Sequence, residues 1–293
     1  MEEAIQVLRQ TVAVAPSFAA AFKRLATALT VLGRTGEAAQ VWQQWLENDP
    51  ENPVPRHMLA AATGQAVPAR AGDDFVRTTF DQFAEDFDEQ LRRLEYRAPA
   101  LIEEALRREG IAPVGKLDVL DVGCGTGWCG PFLRTYARRL VGVDLSPGML
   151  EKARARTVYD ELLAAELTRF LETVPAGFDL LVSADTLVYL GDLQQAFRVA
   201  ARALRPAGWF FFTLERAQDE AAGDGFTLHA LGRYSHTEAY VRSALIEAGL
   251  EVIGIARADL RKEAGTPVPG LIVTARSRTE GKRGDGTRVD RRS

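Results

Sequence analysis

The stretch Val119–Gly130, VLDVGCGTGWCG, decides the fold of this 293-residue chain. Val119, Leu120 and Val122 are apolar and favour a buried strand. The glycine-rich run that follows favours a tight turn, because glycine adopts backbone angles that other residues avoid and has no Cβ to block a ligand. A strand that ends in such a turn, with a helix after it, is how an open α/β sheet admits a nucleotide-like ligand.

A second apolar stretch, Leu140–Pro147, supports this interpretation. It reads LVGVDLSP and predicts another short strand, with Asp144 at its carboxyl end. An acid at the end of the second strand can accept hydrogen bonds from the hydroxyls of a ribose. The glycine turn and the acid together indicate a nucleotide-like ligand more strongly than either does alone.

The glycine spacing bears on which ligand this is. The dinucleotide fingerprint is G-x-G-x-x-G, whereas the glycines here are Gly123, Gly125, Gly127 and, out of phase, Gly130. Asp121 would also put a carboxylate where phosphates should lie. A carboxylate there better suits a ligand that carries a positive ammonium group.

These motifs resemble the class I S-adenosylmethionine-dependent methyltransferases. Later segments resemble the family's fourth strand, its fifth strand with Ala207 in place of a glycine, and its last antiparallel pair: Phe178–Leu190, Ala203–Glu215, LEVIGIARADL and GLIVTAR. The resemblance implies an α/β fold, a Rossmann-like seven-stranded doubly wound sheet over residues 73–278. It also implies S-adenosyl-L-methionine as cofactor, and methyl transfer to an oxygen or nitrogen nucleophile of a small-molecule or protein substrate.

The resemblance also implies cofactor contacts. Asp144 would hold the ribose, Leu145 would pack on the adenine, and Glu166 would lie near the adenine amino group. Residues 73–96, which contain FDQFAEDFD, resemble a lid-like helix over the cofactor, although an amphipathic helix packed on the sheet explains the pattern too. The other implied contacts are Asp121, Gly123, Cys124, Gly125, Gly127, Ser183, Phe80 and Phe83.

The catalytic residues stay open, because methyl transfer depends mainly on positioning and needs a base only when the nucleophile arrives protonated. The candidates are His236, His229, Tyr234 and Asp185. Asp185 could act as a base or cap a turn. Both histidines lie in LHALGRYSHTEAY, which we interpret as a rim loop. There, Ser235 and Glu238 form a capping-box pattern that predicts a helix through Leu245.

Residues 1–67 predict an all-helical arm that resembles the tetratricopeptide repeat. Pro16 and Pro50 lie 34 residues apart, the period of that repeat. Only one repeat is complete, with a fragment at Glu2–Val14 and a further helix-like segment at Asn52–Thr63. The arm is therefore either a helical cap with a structural His57 or a docking arm for a protein partner. Gly64–Gly72 predicts a linker.

Composition narrows the function classes. A net charge of −4 gives no electrostatic footprint for nucleic acid, and no apolar run is long enough to span a membrane. Cys124 and Cys129 are the only cysteines, so we expect reduced thiols, no metal site and a cytoplasmic protein. Residues 279–293 predict a disordered tail. Two alternatives stay open: a catalytically inactive assembly or binding protein on a methyltransferase fold, and an NAD(P)-dependent oxidoreductase.

Overall fold

The computed structural model describes residues 2–217 and 223–278. Its first four helices form the predicted arm, α1 (Glu2–Val14), α2 (Ala19–Val31), α3 (Thr35–Asn48) and α4 (Pro53–Thr63). They close around a core that includes Phe22, Leu25 and Trp42. Small residues let the helices approach, since Ala26 and Ala38 are fully buried. The predicted tail lies outside the described residues.

The segment after the arm is two helices rather than one. α5 (Asp73–Phe83) and α6 (Phe87–Arg93) are separated by a turn, and α7 (Ala98–Arg108) follows them. The expectation of a single lid-like helix over residues 73–96 was therefore wrong. The two helices have different partners. Asp81 on α5 bonds the start of a later helix, whereas Asp88 on α6 bonds the glycine turn.

The remaining residues form one sheet with helices on both faces. The strands are β1 (Leu117–Val122), β2 (Ala137–Asp144), β3 (Glu161–Ala164), β4 (Phe178–Ser183), β5 (Leu204–Arg216), β6 (Phe226–Leu228), β7 (Tyr234–His236), β8 (Leu250–Glu263) and β9 (Thr266–Ser277). Strands β3, β2, β1, β4 and β5 are parallel neighbours in that order, and β9 pairs antiparallel with β5 and β8. These seven strands are the sheet that the sequence predicts.

The helices of this domain pack on the two faces of the sheet. α7 and α8 (Gly130–Tyr136) cover one face, and α10 (Leu167–Glu172), α11 (Gln194–Ala203) and α12 (Glu238–Glu247) cover the other. α9 (Pro147–Ala155) follows β2. Val119 and Leu120 face opposite cores because side chains alternate along a strand. The strand order reverses between β1 and β4, and such a switch point is where open α/β sheets bind ligands.

Strands β6 and β7 form a short hairpin that the sequence interpretation missed. It extends the end of β5, where Glu215 pairs with Ser235. The predicted capping box was wrong, because Ser235 lies in β7 and the side chain of Thr237 accepts the hydrogen bond from the Tyr240 amide that caps α12. Pairing with β5 holds Ser235 in the sheet, so it cannot start a helix.

The predicted linker is tied to the domain. We call residues 69–71 the strap: Ala71 donates its amide hydrogen bond to the Tyr189 carbonyl, and the Gly191 and Asp192 amides donate theirs to the Ala69 carbonyl. Phe75 on α5 belongs to the buried core of the arm. The linker is therefore held to the domain, because these backbone groups find partners beyond β4.

Candidate functional site

A cavity of about 220 Å³ opens at the carboxyl ends of β1 and β4. Its walls come from the glycine turn, the ends of β2 and β4, the two lid helices, the strap and the β8–β9 pair. Many sequence-predicted residues line it: Asp121, Gly123, Cys124, Gly125, Asp144, Leu145, Glu166, Asp185 and Phe80.

The glycine turn holds a conformation that needs glycine. Gly123, Gly125 and Gly127 have φ of 70°, 53° and 82°, a region that side chains with a Cβ rarely adopt. A Cβ on Gly123 would overlap the side chain of Thr186, whereas one on Gly125 would meet only Phe87, at 4.0 Å. The turn at Gly125 is therefore an open cradle that faces the cavity.

Asp144 is fixed at the floor of this cradle. Its Oδ2 accepts a hydrogen bond from the Gly125 amide and its Oδ1 from the Ser146 amide, both at 2.9 Å. Burial raises the pKa of Asp144, and these backbone hydrogen bonds oppose that shift. A carboxylate held this way faces the cavity in a fixed orientation and can accept hydrogen bonds from ligand hydroxyls.

Asp121 is a second buried acid at the turn. Its Oδ2 accepts a hydrogen bond from the Tyr159 hydroxyl at 2.6 Å. Burial raises the pKa of Asp121 to about 7, and the nearby charge of Asp144 adds to that shift. The two carboxylates make this end of the cavity suitable for a cationic ligand group.

Glu166 lies at the far side of the cradle and caps α10. It accepts hydrogen bonds from the amides of Thr168 and Arg169, at 3.1 and 2.9 Å. Arg70 of the strap bonds Glu166 at 3.0 Å and also pairs with Asp73. The strap and the third strand therefore meet at this wall of the cavity.

The lid helices are bound to the turn by carboxylates. Asp88 accepts hydrogen bonds from the Thr126 hydroxyl at 2.5 Å and from the indole of Trp128 and the guanidinium of Arg156, both at 2.7 Å. Asp81 accepts bonds from Ser146 and from the Gly148 amide. Hydrogen bonds to charged groups are among the stronger ones, so α5 and α6 are held down over the cavity.

The opposite end of the cavity contains a cluster of ion pairs that we call the acceptor end: Asp185, Glu215, Arg233, Arg261 and Glu263. Arg261 is only 5% exposed and bonds Asp185 at 2.7 Å, Glu263 at 2.8 Å, and Glu215. Arg233 bonds Glu215 at 2.6 Å and Glu263 at 2.5 Å. Burial raises the pKa of Asp185, and Arg261 opposes that shift.

Two tyrosines border the acceptor end. Tyr96 and Tyr189 both line the cavity, and burial raises the pKa of each. Asp185 and Arg261 lie close enough to both rings to affect their ionisation. Within residues 2–217 and 223–278, neither hydroxyl forms a hydrogen bond with another protein group, so both are available to a ligand.

Several predicted site residues lie outside the cavity lining. The Ser183 hydroxyl donates to the Val122 carbonyl, and Lys23 of the arm lies over the ring of Phe83. Gly127 packs towards Tyr159 and Arg156.

The two histidines and Tyr234 are also turned away from the cavity lining. His229 bonds the Ser235 hydroxyl at 2.6 Å, and the Tyr234 hydroxyl donates to the Pro68 carbonyl at 2.7 Å. His236 is fully buried beside the Gly191 carbonyl, and burial lowers its pKa to about 4. Of the four catalytic candidates, the structure brings only Asp185 to the cavity.

Sequence interpretation missed the residues that come from distant segments. Arg70 lies in a stretch that reads as a linker, Arg233 in a loop beside a three-residue strand, and Arg261 and Glu263 on the penultimate strand. No motif marks them. Alternation along β8 would put one of Leu260 and Arg261 on the surface, but an irregularity in the pairing between Asp259 and Arg261 accompanies the burial of both.

Two searches of the described residues found nothing. No group of three or more histidine, cysteine or acidic side chains in them is placed to hold a metal ion. None of the helices described is both long and apolar enough to cross a membrane.

Comparison with known proteins gives the family. A methyltransferase-domain model matches residues 120–212. The ubiquinone biosynthesis O-methyltransferase of Thiobacillus denitrificans is 31% identical over 189 residues, which cover 56% of this chain and 81% of that protein. The chain therefore belongs to the class I S-adenosylmethionine-dependent methyltransferases, transferases of EC 2.1.1.-, and S-adenosylmethionine is the cofactor.

Other matches are more local. The malonyl-[acyl-carrier protein] O-methyltransferase of Hahella chejuensis is 38% identical over 109 residues, 36% of this chain and 37% of that protein. The chain spans 18% and 45% of the length of two other curated relatives. The magnesium protoporphyrin IX methyltransferase of Synechocystis, solved with bound S-adenosylhomocysteine, shares the fold with a TM-score of 0.52 at 16% identity, covering 70% of this chain and 97% of that one.

The residues present are compatible with this cofactor. The open cradle at Gly125 admits a ligand to the backbone, and Asp144 and Glu166 offer carboxylate oxygens on either side of it. Asp121 supplies negative charge beside the turn, as a ligand with an ammonium and a sulfonium group requires. These are the chemical groups that the sequence predicted for this end of the cavity.

Proposed function

We propose that this protein transfers a methyl group from S-adenosylmethionine to an oxygen nucleophile of a small acceptor bound at the acceptor end of the cavity. The observation that carries the proposal is that one cavity is lined both by the glycine turn with Asp144 and by the ion-pair cluster that includes Asp185. Both relatives named above are O-methyltransferases, which favours oxygen over nitrogen. The alternative is that the accepting oxygen is carried by a protein rather than by a free small molecule.

In this proposal the chain holds the cofactor with residues fixed by their own backbone contacts. Asp144 accepts hydrogen bonds from the ribose hydroxyls, and Asp121 faces the cationic methionine portion. Leu145 packs on the adenine, and Glu166 lies near its amino group. Phe80 and Phe87, on the two lid helices, cover the bound cofactor.

The cofactor supplies an already activated methyl group, so the protein contributes positioning, exclusion of water and proton transfer. Positioning can supply most of the rate enhancement in such reactions. The lid helices exclude water because Asp81 holds α5 against the start of α9 and Asp88 holds α6 against the glycine turn. The Asp185 carboxylate can accept a proton from the acceptor, and Arg261 and Thr213 keep it in one orientation.

The arm has two proposed roles. Its period and helix bounds support a tetratricopeptide-like unit, whose exposed helices could dock a protein partner. It also builds part of the cavity, because the strap carries Arg70 to the wall and His57 of α4 bonds the loop that precedes Arg233. The second role has direct contacts to support it, so we treat the arm first as a structural part of the site.

The experiment that tests the function is calorimetric titration with S-adenosylmethionine and S-adenosylhomocysteine, with NADH as the comparison ligand. We expect both sulfur ligands to bind the wild type, and Asp144→Asn to lose binding. Asp160→Asn is the matched control, because Asp160 is a carboxylate outside the cavity lining that also accepts a backbone hydrogen bond.

Methyl transfer is then measured as S-adenosylhomocysteine release with two kinds of acceptor, hydroxyl-bearing intermediates of ubiquinone biosynthesis and malonyl-acyl carrier protein. Failure of both sulfur ligands to bind folded protein would overturn the proposal, and binding of NADH alone would favour an oxidoreductase. Binding without release for any acceptor would favour a binding module.

A further inference from the structure

The acceptor end has no spare positive charge. Its two guanidinium groups, on Arg233 and Arg261, face three carboxylates, on Asp185, Glu215 and Glu263, at distances that make direct ion pairs. With all five groups ionised, the formal charge is two positive against three negative. If Asp185 takes up a proton, the charges cancel. In neither state does this end attract an anion.

The acceptor end offers a ligand both a hydrogen-bond acceptor and hydrogen-bond donors. Both bonds to Glu263 reach its Oε1, and in the part of the chain that the structure describes no donor reaches its Oε2. Glu263 lines the cavity, so this oxygen can accept a bond from a ligand. The hydroxyls of Tyr96 and Tyr189 can donate one. A ligand group that both donates and accepts, without a charge of its own, satisfies all three.

The side walls of this end are aromatic. The ring of Tyr189 meets the ring of Phe80, which also covers the cofactor portion, edge to face with centroids 5.4 Å apart. Tyr96 makes an edge contact with Trp128 at 6.2 Å. Aromatic side chains favour edge-to-face or offset contacts with another ring, so the walls select a flat ring over a branched aliphatic group.

We infer that the acceptor end is a binding site for a neutral hydroxyl group carried on an aromatic ring, a phenol, and that it discriminates against a carboxylate of the same shape. The inference deepens the proposed function and rests on it, because it takes this end of the cavity as the place of the methyl acceptor. It separates the two chemistries that the names of the relatives leave open. Glu263 is then a specificity residue, since it faces the ligand and supplies the excess negative charge.

The test measures binding to protein saturated with S-adenosylhomocysteine. Two matched pairs serve as probes, 2-naphthol with 2-naphthoate and 4-butylphenol with 4-butylbenzoate, all titrated calorimetrically at about pH 7.5. We expect at least one phenol to bind and its carboxylate partner to bind about tenfold more weakly or not at all. The tenfold figure is the order expected for one unit charge a few ångströms away when the surroundings screen it almost as strongly as water does.

A variant that removes the charge of Glu263 tests whether that charge causes the preference for phenol over carboxylate. Glu263→Gln keeps the shape of the side chain and removes the excess negative charge, so we expect the preference for phenol over carboxylate to narrow by about tenfold. Glu238→Gln is the matched control: Glu238 also pairs with two arginines and has almost the same side-chain exposure, 26% against 25% for Glu263, but lies outside the cavity lining. The control should leave the preference unchanged.

Each result decides the inference. Equal or tighter binding of the carboxylates by wild-type protein would overturn it, and so would an absence of phenol binding to protein that has bound S-adenosylhomocysteine. An equal effect of Glu238→Gln would show that the preference does not arise at Glu263 and would overturn its role. Failure of S-adenosylhomocysteine itself to bind is a different outcome, because it contradicts the proposed function.

Discussion

At the scale of single residues, the charge of Asp121 changes as the pH passes through neutrality. Burial raises its pKa to about 7 even though Tyr159 donates a hydrogen bond to it. A cationic ligand beside Asp121 favours the ionised form, because opposite charges at close range stabilise each other. Ligand affinity and the protonation of this group are therefore linked.

This linkage predicts a pH dependence of cofactor binding. Below about pH 7, binding must first remove a proton from Asp121, so the affinity for S-adenosylhomocysteine should fall with decreasing pH, approaching tenfold per pH unit. The measurement is calorimetric titration between about pH 5.5 and 8 on wild type and Asp121→Asn. A variant that keeps the full slope would show that another group is responsible.

Gly123 allows a steric prediction at the same scale. Gly123→Ala places a Cβ at φ +70° and against Thr186, so we expect a loss of about 1–3 kcal/mol in the free energy of unfolding and a loss of cofactor binding. Denaturant unfolding measures the first quantity. The double change Gly123→Ala with Thr186→Ala should recover only the part caused by the overlap.

Gly36→Ala is the matched control for that substitution. Gly36 lies in α3 with open space around its Cβ position, and alanine is the better helix former. The control should leave stability unchanged or raise it. A similar loss of stability in both variants would contradict the steric account of Gly123.

Among the elements, the lid helices are the ones held to the site by charge rather than by a large apolar face. α6 has one buried residue, Leu91, whereas Asp88 connects it to Thr126, Trp128 and Arg156. A helix of seven residues is too short to be stable by itself. The position of α6 therefore depends on Asp88.

Asp88→Asn should loosen the lid. The amide loses the charge that attracts Arg156, so we expect faster hydrogen exchange at residues 84–94 and faster dissociation of the cofactor. Exchange followed by mass spectrometry and stopped-flow displacement measure the two effects. Glu89→Gln serves as the comparison, because Glu89 pairs only with exposed Arg92 and Arg93; equal effects in both variants would contradict the role given to Asp88.

Element prediction succeeded where the signal is local. The seven principal strands and the arm helices carry it in their own residues, as α1 does over Glu2–Val14. It failed at β6 and β7, which have three residues each. Strands that short show no alternation, and they are strands only because β7 pairs with β5 and β6 pairs with β7. The same pairing removed Ser235 from the helix start that its spacing predicted.

For the whole molecule, the arm and the domain share one site. The Nε2–H of His57 donates a hydrogen bond to the Gly232 carbonyl at 2.9 Å, and the His57 ring packs on Phe75 with ring centroids 4.0 Å apart. Gly232 precedes Arg233 at the acceptor end. The arm therefore helps to position a residue of the cavity from more than 170 positions away in the chain.

His57→Ala should weaken that connection. Loss of a buried hydrogen bond and of ring packing should lower the free energy of unfolding by about 2 kcal/mol, and hydrogen exchange at residues 229–233 should rise. Arg56→Ala is the control, since the exposed Arg56 bonds only the Pro50 carbonyl of its own arm. Unchanged exchange at 229–233 in His57→Ala would contradict the coupling.

The site as a whole could be predicted only in part. Asp121, Gly123, Gly125 and Asp144 were found because the turn and its acid lie on neighbouring strands with a recognisable spacing. Arg261 was not, because it reaches the cavity through the closing antiparallel pair, and its partners Asp185 and Glu215 come from two other segments. Spacing along the sequence reveals residues on neighbouring strands that carry a motif. It does not reveal residues that the fold brings together from distant segments.

The strap also has a consequence for how this protein can change over evolutionary time. Its three hydrogen bonds to Tyr189, Gly191 and Asp192 join main-chain groups only, so the exposed position 69 can carry almost any side chain without breaking them, whereas the buried position 71 favours a small one. Proline at 71, 191 or 192 is the exception, because it has no amide hydrogen to donate. Position 69 can thus vary over generations while the main-chain path between arm and domain is inherited unchanged.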